Sequence, residues 1–267
     1  MESRVVSLHI YPLKGARAVD LDTVRVQSRG LEGDRAWMLV DADGTFVSQR
    51  SVPDLTGLTA HHKTGDSLEL VWRGEHHTVP QPTGPLEPVR VWNDIVEAIP
   101  ADEEANSWLS ERLGRTFRLF WMPPTTHRQV DPVYASEGHG TRFTDGYPVL
   151  VTTTGSLQSL GLDIPMNRFR PSIVIHTLDA WMEDAWDRIA IGDVELRLVK
   201  PCGRCVVTTI DQDTGVAGKE PLTTLARLRK QGSKVLFGEN AVVEKAGTIA
   251  VGDRVTVLST KDASPSA

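Results

Sequence analysis

A chain of 267 residues, 40% hydrophobic and 24% charged, can bury one or two full cores and carries no apolar run long enough to span a membrane. A net charge of −6 argues against a nucleic-acid partner or an anionic membrane surface. Two cysteines exclude a disulfide framework and an iron–sulfur cluster held by four thiolates of this chain; with no signal-peptide core at the N-terminus, the expected setting is cytoplasmic.

In chain order, Val5 to Tyr11 alternates and stops at Pro12, the pattern of a strand ending in a turn that holds Lys14-Gly15. Leu21 to Gln27 alternates again, and the loop Arg29 to Arg35 carries two glycines. Trp37 to Val40 reads as a buried strand before the hairpin signal Asp43-Gly44. Further strands are expected at Leu68 to Trp72, Val89 to Trp92 and Phe117 to Trp121. A helix precedes the last of these: Asp102 is its N-cap, Ala105, Trp108, Leu109 and Leu113 share one face, and Gly114 stops it. Pro123-Pro124 then breaks the chain, and residues 125–146 form a polar loop with His127, His139 and Arg142.

The second half opens with a strand at Pro148 to Val151 and a short helical pattern after Thr152-Thr153-Thr154-Gly155-Ser156. Ile173 to Ile175 is another strand. Two apolar runs split by Gly-Asp, at Gly192-Asp193 and Gly252-Asp253, read as two hairpins of one barrel. Between them a second helix is expected, with Pro221 in its first turn, Leu222, Leu225 and Leu228 inside, and Gly232 as its stop. These patterns predict a mainly β (α+β) fold class, a sandwich or barrel with a few short helices. Residues 125–146 mark a boundary or an active-site loop, and 259–267 a disordered tail.

Both cysteines lie in Lys200-Pro201-Cys202-Gly203-Arg204-Cys205, at the end of the strand Val194 to Val199. The pair reads as packing, a redox couple, half of a zinc site, or one thiolate on a soft or borderline metal. A redox couple expects a helix after the strand, whereas Val206 to Ile210 is β-branched and reads as more strand. Zinc needs two further ligands. His61-His62 and His76-His77 are adjacent pairs that point to opposite strand faces and chelate poorly. Five basic residues, Lys14, Arg35, Arg50, Arg170 and Arg204, occupy turns, most of them beside Gly or Pro. Such positions suit solvated surface charge or an oxyanion gripped by guanidinium forks and backbone N–H groups. The Thr/Ser cluster before the short helix suits capping, or an anion at a helix start.

Five segments, in order along nearly the whole chain, resemble a known family. They are Tyr11-Pro12-Leu13-Lys14-Gly15, Gly33-Asp34-Arg35-Ala36-Trp37, Arg168-Phe169-Arg170-Pro171-Ser172, Ile191-Gly192-Asp193-Val194, and the run from Pro201 through Cys205 to Asp211-Gln212-Asp213-Thr214-Gly215. Together they resemble MOSC-domain proteins with an additional N-terminal β-barrel domain, a group that includes the amidoxime-reducing components. The resemblance implies two β-barrel-like domains, residues 1–124 and 125–258, and a molybdenum cofactor, a pterin dithiolene with a phosphate tail, at their interface. It implies that Cys205 is the protein ligand to molybdenum and the catalytic residue. Lys14, Gly15, Arg35, Arg170, Ser172, Gly203 and Arg204 match positions that hold the cofactor, and Thr153 matches a hydroxyl near its phosphate. Gly15 stands where the family often has Ser, and Ser172 where it often has Asn. Cys202 is left a structural neighbour. The implied reaction is two-electron removal of oxygen from amidoximes, hydroxylamines or N-hydroxylated bases. With no ferredoxin-like cysteines in the chain, electrons are expected from a separate ferredoxin-, flavodoxin- or cytochrome b5-like protein or a flavin reductase. The alternatives are a cofactor binder or sulfur carrier working through a cysteine persulfide, and a zinc-stabilised interaction module.

Overall fold

The computed structural model describes residues 2–63 and 67–261. The first half holds β1 (Arg4–Ile10), β2 (Val19–Leu21), β3 (Thr23–Gln27), β4 (Gly30–Leu31), β5 (Trp37–Val40), β6 (Leu58–His62), β7 (Leu68–Trp72), β8 (Glu75–Val79), β9 (Glu87–Val91), β10 (Asp94–Pro100), α1 (Glu103–Leu113) and β11 (Arg118–Trp121). The second holds β12 (Val149–Thr153), α2 (Thr154–Gln158), β13 (Ile173–His176), β14 (Trp186–Ile191), β15 (Val194–Gly203), α3 (Leu222–Leu228), β16 (Lys230–Gln231), β17 (Lys234–Lys245), β18 (Gly247–Ala250) and β19 (Val255–Thr260).

The chain is mainly β, as its alternating patterns require. The large sheet runs β19-β14-β15-β17-β12-β13-β1-β2, with β16 on β17; smaller sheets run β5-β11-β10-β9, β18-β3-β4 and β6-β7-β8. None of these ladders closes on itself among the described residues, so the sheets are barrel-like and open. One neighbouring pair in the large sheet, β12 and β13, is parallel, and the crossover it needs passes through α2 and a 3₁₀ turn at Met166–Phe169.

Two cores position the turns at the seam of the molecule. Leu13, Trp37, Leu55, Leu70, Leu109 and Trp121 belong to one, under α1 and β6–β8. The other joins the start of the chain to its second half: Val5, Leu8, Val24 and Leu31 pack with Val151, Ile173, Leu196 and Ile249. Backbone pairing shows the same division, for β1 lies antiparallel on β13 (Leu8↔Ile173) and β18 on β3 (Ile249↔Val24). The turns after β1 and β4 therefore emerge where the two halves meet, and these turns carry Lys14 and Arg35.

Four local expectations are corrected. The β-branched run Val206–Thr209 is a 3₁₀ turn, not a strand, because the Thr208 and Thr209 hydroxyls donate to the carbonyls of Cys205 and Val206 (2.9 and 2.8 Å) and close the backbone locally. Gly192-Asp193 is a hairpin tip, but Gly252-Asp253 joins strands of different sheets, since β18 pairs with β3 and β19 with β14. Asp253 is captured by β1 instead, its carbonyl accepting the Val5 N–H at 2.9 Å. Helix α3 ends at Leu228, which is exposed along with the turn beyond it; Gly232 sits in the tight turn between β16 and β17. Strand β19 runs through Ser259 and Thr260, and Lys261 pairs with buried Glu239, so residues 259–261 are not part of a disordered tail; residues 262–267 of the expected tail lie outside the described residues.

Candidate functional site

A cavity of about 380 Å³ opens at the seam. The first half contributes Lys14, Gly15, Arg35, the Ser48–Gln49–Arg50 turn and Trp92, and the second contributes Asp145, Arg170, Ser172 and the stretch from Lys200 to Cys205. Lys14 is placed by the strand stop at Pro12: its N–H donates to Trp37 O at 2.8 Å, which docks the turn against β5. Gly15 has φ +88, and a Cβ there would lie 2.9 Å from Leu55 Cδ1, so a side chain at this position requires both strain and movement.

The charge of the cavity is opposite to that of the chain. Lys14, Arg35, Arg50, Arg170, Lys200, Arg204 and Lys234 line it, and Asp145 is the single carboxylate in its wall among the described residues. Lys14 donates to Asp145 Oδ1 at 2.5 Å and to Phe143 O at 2.8 Å. Burial pulls the Lys14 ammonium below its ordinary range, with Asp145 opposing. The Asp145 side chain faces the opening and is 72% exposed, yet it lies among protein groups on its other sides. Burial pushes its carboxyl up, and Lys14, Trp92 and Arg35 outweigh this and hold it well below the usual carboxylate range.

Arg35 and Arg170 flank the buried Tyr11 ring, their guanidinium carbons 4.1 and 4.2 Å from its centroid. Both have positive φ (45° and 53°), conformations uncommon outside glycine and frequent at working sites. Asp34, 2% exposed, ties this arrangement together by accepting from Arg35 Nη1 at 2.5 Å and from the Tyr11 N–H at 2.8 Å. Burial pulls Arg170 down to about 10, leaving it a cation at neutral pH; burial pushes Tyr11 up to about 12.

The cysteines lie in the facing wall. Cys205 is exposed and begins the 3₁₀ turn, and Arg50 Nη2 donates to its Sγ at 3.4 Å across the seam. Cys202 is half-buried; Arg204 Nη1 donates to its Sγ at 2.9 Å and Nη2 to Phe169 O at 2.6 Å, while Arg204 Nε is buried without a partner. Both thiols are free. No group of three or more His, Cys, Asp and Glu among the described residues is placed to hold a metal ion.

Of the residues singled out from sequence, Lys14, Gly15, Arg35, Arg170, Ser172, Gly203, Arg204 and Cys205 meet in this one cavity. Thr153 does not. It is fully buried at the start of α2, where its hydroxyl meets Ser156 Oγ and Glu183 Oε2, both at 2.8 Å. Ser172 is also fully buried, and its Oγ accepts the Leu150 N–H at 3.2 Å. Asp145, Trp92 and Lys234 are site residues that the sequence patterns do not single out. Asp34 and Tyr11 stand within the motifs that carry the resemblance, beside Arg35 and Pro12, and that adjacency is the signal that marks them as partners.

Residues 2–116 match the MOSC N-terminal beta barrel domain and residues 139–256 the MOSC domain. The chain belongs to the MOSC family. Mitochondrial amidoxime-reducing component 1 of Homo sapiens is 32% identical over 95% of this chain and 82% of its own length. Mitochondrial amidoxime reducing component 2 of Bos taurus is 32% identical over 94% and 82%. Among solved structures, the YUAD protein of Bacillus subtilis covers 96% of this chain and 94% of its own at 11% identity and a TM-score of 0.45. The MOSC match begins at residue 139, inside the loop that supplies Asp145, and the N-terminal match contains Lys14, Arg35, Arg50 and Trp92. The cavity thus draws on both MOSC regions.

Proposed function

We propose that this chain binds the molybdenum cofactor in the seam cavity, with Cys205 as its protein ligand, and reduces N-hydroxylated compounds such as amidoximes and hydroxylamines. The observation that carries this reading is an exposed thiol in the wall of a cavity whose cations outnumber its carboxylates, within a chain of net charge −6. The residues fit the group. A metal here lacks three protein ligands, so a bound anion must supply most of its donors, and one thiolate beside unpaired cations is the complement of that requirement. Arg50, Arg170, Lys200, Arg204 and Lys234 have no carboxylate partner among the described residues, and the orphaned Arg204 Nε is a donor still to be satisfied.

Bound there, the cofactor would supply two-electron chemistry that takes oxygen from nitrogen and releases it as water. The reaction R–NHOH + 2e⁻ + 2H⁺ → R–NH₂ + H₂O needs electrons from a separate donor protein. It also needs a site that positions a small polar substrate, and Asp145 stays an acceptor across the physiological range, held ionised by Lys14. Names of the mitochondrial relatives as amidoxime-reducing components support the substrate class.

The test is metal analysis of protein expressed with molybdate. About one molybdenum per chain is expected, lost in Cys205→Ala and kept in Cys202→Ala. Zinc in place of molybdenum would sink the reading. Benzamidoxime reduction with an artificial electron donor is then expected of the loaded protein; loaded protein without turnover would favour a carrier role through a Cys205 persulfide.

A further inference from the structure

Three cations reach the cavity from the first half of the chain, and two of them are already paired: Lys14 with Asp145 and Arg35 with Asp34. The third, Arg50, has no carboxylate partner among the described residues and meets Cys205 Sγ at 3.4 Å. Its backbone is pinned beforehand. Gln49, 1% exposed, donates to Gly15 O at 2.9 Å and exchanges amide hydrogen bonds of 3.0 Å with Gln212 across the seam. The exposed side chain lies over Trp92, whose ring centroid is 5.1 Å from the Arg50 guanidinium carbon.

Trp92 occupies an unusual position for a tryptophan. Asp94 pairs with Val91, so Trp92-Asn93 forms the two-residue tip of the β9–β10 hairpin, and Trp92 has φ +57. The first central position of such a tip favours glycine when its φ is positive, and a bulky residue there is strained. The β7–β8 tip, Arg73-Gly74, also has a positive φ at its first residue (+48), followed by glycine at φ +89, whereas Trp92 is followed by Asn93. Trp92 is also 43% exposed, so core burial does not explain it. Its indole makes three contacts that do: Phe46 with centroids 4.8 Å apart, Asp145 Oδ1 accepting from Nε1 at 3.2 Å, and the face presented to Arg50.

We infer that Trp92 is a positioning residue that holds Arg50 at Cys205, where Arg50 grips the anionic group bound by that thiolate. This inference rests on the proposed cofactor site. A guanidinium on a pinned backbone, stacked on an indole, keeps its fork aimed when the anion arrives. It supplies the one N-terminal cation not already neutralised by a neighbour.

The test tracks loss of molybdenum from purified holoprotein on dialysis, beside thermal unfolding of the same samples. Arg50→Ala is expected to lose molybdenum about tenfold faster than wild type, and Arg50→Lys less than Arg50→Ala, because a point charge replaces the fork. Trp92→Gly relieves the backbone and is expected to unfold at the same or a higher temperature while losing molybdenum several-fold faster. A role confined to folding predicts the reverse. The double variant Arg50→Ala/Trp92→Gly is expected to be no faster than Arg50→Ala alone, since Trp92 acts through Arg50. Wild-type retention in Arg50→Ala overturns the inference, and additive effects in the double variant overturn the link between the two residues. Wild-type protein that takes up no molybdenum overturns the proposed function itself, and this inference with it.

Discussion

The two walls of the cavity use their charges differently. On the N-terminal wall Lys14 and Arg35 are matched by Asp145 and Asp34, and Arg35 is further held over Tyr11. On the wall of the cysteine loop Lys200, Arg204 and Lys234 have aromatic, sulfur or solvent neighbours and no carboxylate among the described residues. Paired charges keep their geometry whether or not a ligand is present, and unpaired ones repel each other until an anion arrives. The N-terminal wall is mostly a frame, with Arg50 as its one unpaired cation, and the cysteine-loop wall is, on the proposed reading, the receptor.

The largest effect should come from breaking the frame. Asp34→Asn leaves the Arg35 guanidinium without its buried carboxylate and is expected to cost about 3 kcal/mol of stability by denaturant unfolding. A loss no larger than that of an exposed substitution would remove the distinction between the walls. Asp145→Asn should destabilise less, because this carboxylate faces the opening. Its pKa is depressed on folding, so its contribution is present above the unfolded value of about 4 and fades as pH falls through the folded one. Wild type and Asp145→Asn should therefore converge in melting temperature as pH is lowered below about 4, and a gap that widens instead would refute the pairing.

On the receptor wall the expectation is opposite. Lys234→Ala is expected to change stability by less than about 0.5 kcal/mol while loaded protein loses molybdenum faster, both readable on one preparation. The smallest effect tests a site away from both walls. Glu239 is fully buried beside Lys261, and burial pushes its carboxyl up to about 7. An acid whose pKa rises on folding takes up a proton in the native state, so stability falls as pH rises from about 4.5 to about 7. Glu239→Gln should flatten that slope in melting temperature between pH 5 and pH 8; an unchanged slope would place the titration elsewhere.

Local rules were readable where the interaction that decides a structure is itself local. Asp102 caps α1 through the Ala105 N–H at 2.8 Å and Gly114 ends it in a left-handed conformation, as the pattern of those residues predicts. The same rules failed where a distant partner decides. Gly232 reads as a helix stop, but the pairing of β16 with β17 claims it; Gly252-Asp253 reads as a hairpin, but β1 takes its backbone groups. In Val206–Thr209 β-branching argued for a strand, and threonine hydroxyls returning to the backbone overcame it.

The sequence by itself determined the mainly β class, the basic turns and the family, because strand alternation, turn residues and a two-cysteine motif are all read within a few positions. Only the tertiary structure decided that Trp92 lies against Arg50, that Asp145 pairs with Lys14, and that Thr153 stays outside the cavity. Those relations join residues tens to more than a hundred positions apart, as Lys14 to Asp145 and Arg50 to Cys205 do. No periodicity encodes them; they exist once β1 has docked on β13 and brought the two halves of the chain edge to edge.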